Sequence, residues 1–189
     1  QFDVILTNPP FGGKEGKDAQ KNFPFETGAT QVLFVQGILG ELAPRGTCAI
    51  VLDEGLLFRT NESAFVETKR KLLDECDLWA TVSLPGGVFS TAGAGVKTNL
   101  LFFTKGRKTE RIWYYDLSQV KVGKKTPLTL AHFGFSTTGE VLPDSALSVR
   151  SSRSSSTWWL MSRNVVGSSS SSRAVSWGRA IATQTRWRR

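Results

Sequence analysis

A chain of 189 residues, 40% hydrophobic and 21% charged, has the composition of a soluble globular protein of about one domain. No apolar run approaches the ~20 residues of a membrane helix, no signal-peptide pattern opens the chain, and two cysteines with one histidine offer no zinc-ligand spacing. The net charge of +8 is uneven: residues 1–150 hold 17 Lys plus Arg against 16 Asp plus Glu, whereas residues 151–189 hold seven Arg and no Lys or acid, so the body carries no electrostatic mark of a nucleic-acid binder.

The first element is a short apolar strand, "FDVILT", with Val4, Ile5 and Leu6 suited to a buried parallel position. It stops at Asn8-Pro9-Pro10-Phe11. Proline lacks an N–H for the ladder and holds the preceding residue extended, so a stiff corner is expected at the carboxyl end of a central strand. Ligands of open α/β sheets bind at that edge. The polar, Gly-rich stretch after it reads as a functional loop. From about Ala29, Val32, Val35, Leu39 and Leu42 recur at helical spacing until Pro44 and Gly46.

"TCAIVLDEGLLF" reads as a second buried strand. "NESAFVETKRKLLDECD" reads as a helix with Asn61 as cap and Phe65, Leu72 and Leu73 inward. "LWATVSLP" is a third strand, "GGVFSTAGAGVKT" a turn-rich loop, "NLLFFTKG" an antiparallel fourth strand and "RIWYYDL" a short edge strand. This order predicts an α/β fold: a partial Rossmann-like, doubly wound sheet ending in an antiparallel hairpin. Cys48 and Cys76 read as buried free thiols of a reducing, cytoplasmic compartment. The fold is expected to span residues 1–145, with 146–189 a Ser/Arg/Trp tail. From Ser151 the tail holds twelve Ser and four of the six Trp. That composition suits either an out-of-frame end of a GC-rich gene or a disordered basic arm.

The corner offers two converging acceptors, the Asn8 side-chain carbonyl and the Pro9 backbone carbonyl. They suit a group with two hydrogens to donate, such as the exocyclic amine of adenine. Accepting both N–H groups makes that nitrogen more pyramidal and frees its lone pair for an electrophile. Phe11 can stack on a base taken out of the duplex. No general base is needed before attack, because the amine sheds its proton after alkylation.

"NPPF" after an apolar strand resembles the catalytic motif of S-adenosylmethionine-dependent methyltransferases acting on adenine in DNA. The longer blocks "FDVILTNPPFGGKE", "VLDEGLLF" and "LPGGVFSTAGAGVKTNLLFFTKG" resemble the modification subunit of type I restriction systems, over residues 2–145. The resemblance implies that Asn8 and Pro9 accept from the target amine, Pro10 holds the corner and Phe11 stacks the base. It also implies that Asn8 lies near the methyl group of the cofactor, S-adenosylmethionine. DNA, a separate specificity subunit and a restriction subunit are the implied partners, and Lys14, Lys17 and Lys97 are candidate phosphate contacts. The family's glycine-rich turn and acidic residue for the cofactor precede its catalytic motif. This chain opens on the catalytic strand with Gln1, so it is expected to be the C-terminal part of a catalytic domain that is incomplete in front. Two other readings stand beside this one: a non-catalytic DNA-associated fragment, and an amino-methyltransferase for RNA or protein glutamine.

Overall fold

The computed structural model describes residues 1–89 and 96–139. The expected tail, all of "STAGAG" and the 145/146 domain boundary lie outside the described residues. Two compact units divide the chain, Gln1–Val122 and Gly123–Arg189.

The first unit runs β1 (Phe2–Thr7), one helical turn α1 (Lys17–Gln20), α2 (Thr30–Glu41), β2 (Leu42–Asp53), α3 (Glu54–Phe58), α4 (Ser63–Glu75), β3 (Cys76–Ser83), β4 (Thr98–Lys105) and β5 (Trp113–Asp116). The strands form one sheet in the order β1-β2-β4-β3-β5. β1 is parallel to β2, and β5 to β3, while β4 runs antiparallel between β2 and β3. The mixed sheet and its α/β order agree with the sequence reading.

Two crossovers, β1-α2-β2 and β2-α4-β3, progress in the same direction across the sheet. Right-handed connections therefore place both helices on one face. α4 turns Ala64, Phe65, Thr68, Lys69 and Leu72 inward, a period only a helix satisfies. Against this layer lie Cys48, Ile50 and Leu52 of β2 and Leu101 and Phe103 of β4, each 1% exposed or less.

Three details differ from the sequence expectation. β1 lies at one edge of the described sheet, so Val4 and Leu6 are 63% and 77% exposed where burial was expected. Residues 54–58 leave the strand and coil into α3, because the Asp53 side chain accepts from the Leu56 N–H and caps the turn. Asn61 does not cap α4: Glu62 occupies that position, without a side-chain cap bond.

In the second unit the described residues hold a bridge between Gly123 and Thr126 and a 3-10 turn, Leu130–Phe133. Thr129 and His132 close that turn as a capping box. The histidine is therefore engaged in local structure.

Candidate active site

β1 delivers its last residue, Thr7, opposite Ile50 of β2, and the chain then leaves the ladder at Asn8. Asn8 is exposed, and its side-chain amide has no partner among the described residues. Pro9 is buried and Pro10 exposed, so the pair anchors the corner at one ring. Phe11 is half-buried, and its ring meets Phe89 edge-on, with centroids 5.0 Å apart and planes at 61°. That T-shaped arrangement is a preferred one for two aromatic rings.

The turn after Phe11 depends on glycine. Gly12 and Gly13 have φ of 77° and 98°. A Cβ on Gly13 would stand 2.8 Å from Thr30 Oγ1 on the first turn of α2. Thr30 Oγ1 in turn donates to Glu15 at 3.0 Å, and the Glu15 N–H donates to the Gly28 carbonyl at 2.9 Å. The loop is thus stapled to α2, which fixes the direction in which the corner points.

The neighbouring strand ends are joined to this corner from the other side. The Gln31 side chain accepts from the Asp53 N–H at 3.1 Å, tying α2 to the end of β2. The Glu54 N–H donates to the Lys97 carbonyl at 2.9 Å, and the Leu84 N–H to the Thr98 carbonyl at 2.9 Å. The loop that carries Phe89 is therefore held at both of its roots. Ser83 Oγ donates to Asn99 Oδ1 at 3.0 Å across the paired ends of β3 and β4.

Of the residues singled out in the sequence, Asn8, Pro9, Pro10 and Phe11 form one corner. Lys14 lies on the loop that follows it, Lys17 opens α1, and Lys97 immediately precedes β4; all three are exposed, and none enters an ion pair among the described residues. Phe89 was missed. Its signal was available, since it is a lone large aromatic in the Pro- and Gly-rich stretch after β3, which ends at the same sheet edge as β1.

The thiols take no part in this chemistry. Burial, reinforced by the nearby Cys76 thiol, pushes Cys48 up to about 12. Burial and Glu75 push Cys76 up to about 11, against a smaller opposing effect of Lys105. Both are protonated and inert at neutral pH. Among the described residues no cluster of His, Cys, Asp and Glu is suited to a metal ion, and no helix is long and apolar enough to cross a membrane.

Beside β1 lies a groove of about 730 Å³, lined chiefly by Phe2, Val4, Leu6, Leu33, Phe34 and Ile38. Its charged neighbours are Glu15 and Glu41. Glu15 and Glu41 could accept from hydroxyl or ammonium groups of a ligand, but the described lining holds no cation to pair with a ligand carboxylate.

The N-6 DNA Methylase family matches residues 1–137. The EcoEI methylase subunit of an Escherichia coli type I restriction enzyme is 48% identical over 118 residues, covering 61% of this chain and 24% of that protein. A chain from a solved type I R-M system superimposes with a TM-score of 0.65 at 45% identity, covering 70% of this chain and 28% of the other. A modification subunit of a putative type I restriction enzyme from Vibrio vulnificus gives a TM-score of 0.60 at 30% identity, with coverages of 74% and 36%. The chain spans about a quarter of the length of such a curated relative. With the matching segment covering the whole described sheet and the Asn8 corner, the chain belongs to the N-6 DNA Methylase family.

Proposed function

We propose that this chain supplies the target-base side of an adenine-specific DNA methyltransferase of the type I modification kind. The observation that carries the reading is the exposed, unpartnered Asn8 amide at the carboxyl end of β1, next to the Phe11–Phe89 pair. In this reading Asn8 and Pro9 accept the two N–H groups of the adenine amine, and Pro10 keeps the acceptors in register. Phe11 takes the face of the flipped base, and Phe89 closes the slot against its edge. Lys14, Lys17 and Lys97 touch phosphates around the slot.

S-adenosylmethionine supplies the methyl group in the complete enzyme, from a pocket built by polypeptide outside the described residues. DNA sequence choice belongs to a separate specificity subunit, and cleavage to a restriction subunit. A cytoplasmic enzyme is the corresponding setting.

The test replaces the matching segment of the EcoEI methylase subunit by residues 1–137 of this chain and follows transfer of labelled methyl groups to adenine in duplex DNA. Asn8→Ala in that chimera is expected to lower turnover by about 10²–10³, the usual effect of removing one group that acts in the transition state. DNA affinity is expected to stay near that of the parent, because phosphate contacts dominate it. Near-normal turnover of the Asn8→Ala chimera would remove the proposed role.

A further inference from the structure

Where a strand leaves a sheet, backbone donors of its neighbour lose their partners. The register of β2 shows which donor this is at the Asn8 corner. Backbone groups along an antiparallel strand turn to alternate sides. β2 and β4 pair without interruption from Thr47 opposite Thr104 to Asp53 opposite Thr98, and the Glu54 N–H donates to the Lys97 carbonyl at 2.9 Å. Leu52 and Glu54 therefore turn toward β4, whereas Val51 and Asp53 turn toward β1. The parallel register of Thr7 with Ile50, carried onward, sets Pro9 beside Leu52 and Pro10 beside Asp53. A parallel ladder sends such an N–H to the carbonyl of the residue before its partner. The Asp53 N–H is thus the donor that a continued ladder would give to the Pro9 carbonyl.

Gln31 takes that donor instead. From the first turn of α2, Gln31 Oε1 accepts from the Asp53 N–H at 3.1 Å. The neighbouring Thr30 is the residue against which Gly13 packs, so this turn of α2 touches both the loop leaving the corner and the ladder end behind it. Gln31 is 4% exposed, and its Nε2 is buried with no partner among the described residues. A buried amide donor left unpaired is destabilising. An apolar side chain would avoid that cost and let the Asp53 N–H bond the Pro9 carbonyl, as in an ordinary ladder. Stability alone therefore does not account for a glutamine at this place.

We propose that Gln31 is a positioning residue for methyl transfer: by holding the Asp53 N–H, it keeps the Pro9 carbonyl out of the ladder and open to the amine of the target base. The inference rests on the reading of the Asn8 corner as the target-amine site. The role belongs to the acceptor, Oε1, and not to the NH2 of the same amide.

Two measurements test it. In the isotope-labelled 189-residue chain, NMR coupling across hydrogen bonds is expected to join the Asp53 amide nitrogen to the Gln31 side-chain carbonyl carbon. In Gln31→Met the same nitrogen is expected to couple to the Pro9 carbonyl carbon. In the EcoEI chimera carrying residues 1–137, Gln31→Met is expected to lower kcat by about 10–10²-fold with KM for DNA unchanged, because a misplaced acceptor acts on the transition state and not on phosphate binding. Gln31→Glu keeps an acceptor of the same reach and is expected to retain the Asp53 bond and most of kcat. A merely structural glutamine would lower the unfolding midpoint in Gln31→Met and leave kcat of the folded chimera at the parent level. That result would overturn the proposal, as would a parent chain without the Asp53–Gln31 coupling or a Gln31→Glu variant as impaired as Gln31→Met. If Gln31→Met keeps kcat while Asn8→Ala loses it, the Gln31 inference alone falls; near-normal turnover of Asn8→Ala removes the reading of the corner as well.

Discussion

The two ends of the sheet treat their polar groups in opposite ways. Where β2 and β3 begin and β4 ends, hydrogen-bonding groups are used up by the fold. Lys105 Nζ donates to the Leu39 and Leu42 carbonyls at 2.6 and 2.9 Å, closing the last turn of α2. Thr109 Oγ1 donates to the Cys76 carbonyl at 2.6 Å and accepts from the Leu78 N–H at 2.8 Å. Asp77 and Asp74 hold Arg107 and Lys108. At the other end the backbone ties are as short, yet the Asn8 amide and three lysines remain uncommitted and two phenylalanines face each other at the surface. One end spends its hydrogen-bonding groups within the fold, and the other leaves several open to solvent.

That contrast breaks most sharply if stability and function follow the same residues. Lys105→Met deletes two charge-assisted bonds and orphans two carbonyls, so urea unfolding is expected to show a loss of about 2–4 kcal/mol. Asn8→Ala is expected to stay within about 0.5 kcal/mol of the parent in the same experiment, as an exposed side chain without partners should. A large stability loss at Asn8 would erase the distinction between the two ends.

Phe89→Ala sharpens the open end. Base–aromatic stacking contributes about 1–3 kcal/mol per base, and Phe89 shares the slot with Phe11. The EcoEI chimera carrying Phe89→Ala is expected to lose methyl-transfer efficiency within that range, with Phe11→Ala losing at least as much. An unchanged rate would mean that the ring pair serves only packing.

The closed end also has a pH signature, because Cys48 and Cys76 flank it in the core. Their folded-state values lie above that of an unfolded thiol, so the folded chain holds protons that the unfolded chain releases. Stability from this source is full below about pH 9 and is lost as the pH rises toward the folded values of about 11 and 12. Lys69 works in the opposite sense, since burial lowers its value and stability on its account rises with pH. Denaturant midpoints across that alkaline window are expected to fall less in Cys48→Ala/Cys76→Ala than in the parent. The smallest effect belongs to the lysines: Lys14→Gln, Lys17→Gln and Lys97→Gln should each reduce the salt dependence of DNA binding by about one unit of slope and leave sequence preference alone.

Much of this arrangement was legible in the sequence because periodicity and proline are local signals. "ATQVLFVQGILG" could hardly bury its apolar residues except as a helix, and "NPP" could not continue a ladder. The antiparallel placement of "NLLFFTKG" followed from a connection of turn residues with no helix in it. What stayed hidden depended on distant partners. Nothing local in "VLDEGLLF" shows that Asp53 turns back to cap Leu56, nor that Gln31 reaches across from α2 to the Asp53 amide. The exposure of β1 was missed for the same reason: its composition suits a buried strand, and its outer position depends on which strands pair with it. Phe89 sits far from Phe11 in the chain, and only the fold brings the rings together.

The most direct test of the claim that the Asn8 corner receives the target base is a crosslink. Duplex DNA with 5-iodouracil in place of the target adenine, bound to the EcoEI chimera carrying residues 1–137 and irradiated, reports which aromatic ring lies against the extruded base. The account predicts an adduct on Phe11, lost in Phe11→Ala and weakened in Phe89→Ala. An adduct on residues of the closed end, such as the 107–111 segment, with none on Phe11 or Phe89, would contradict it.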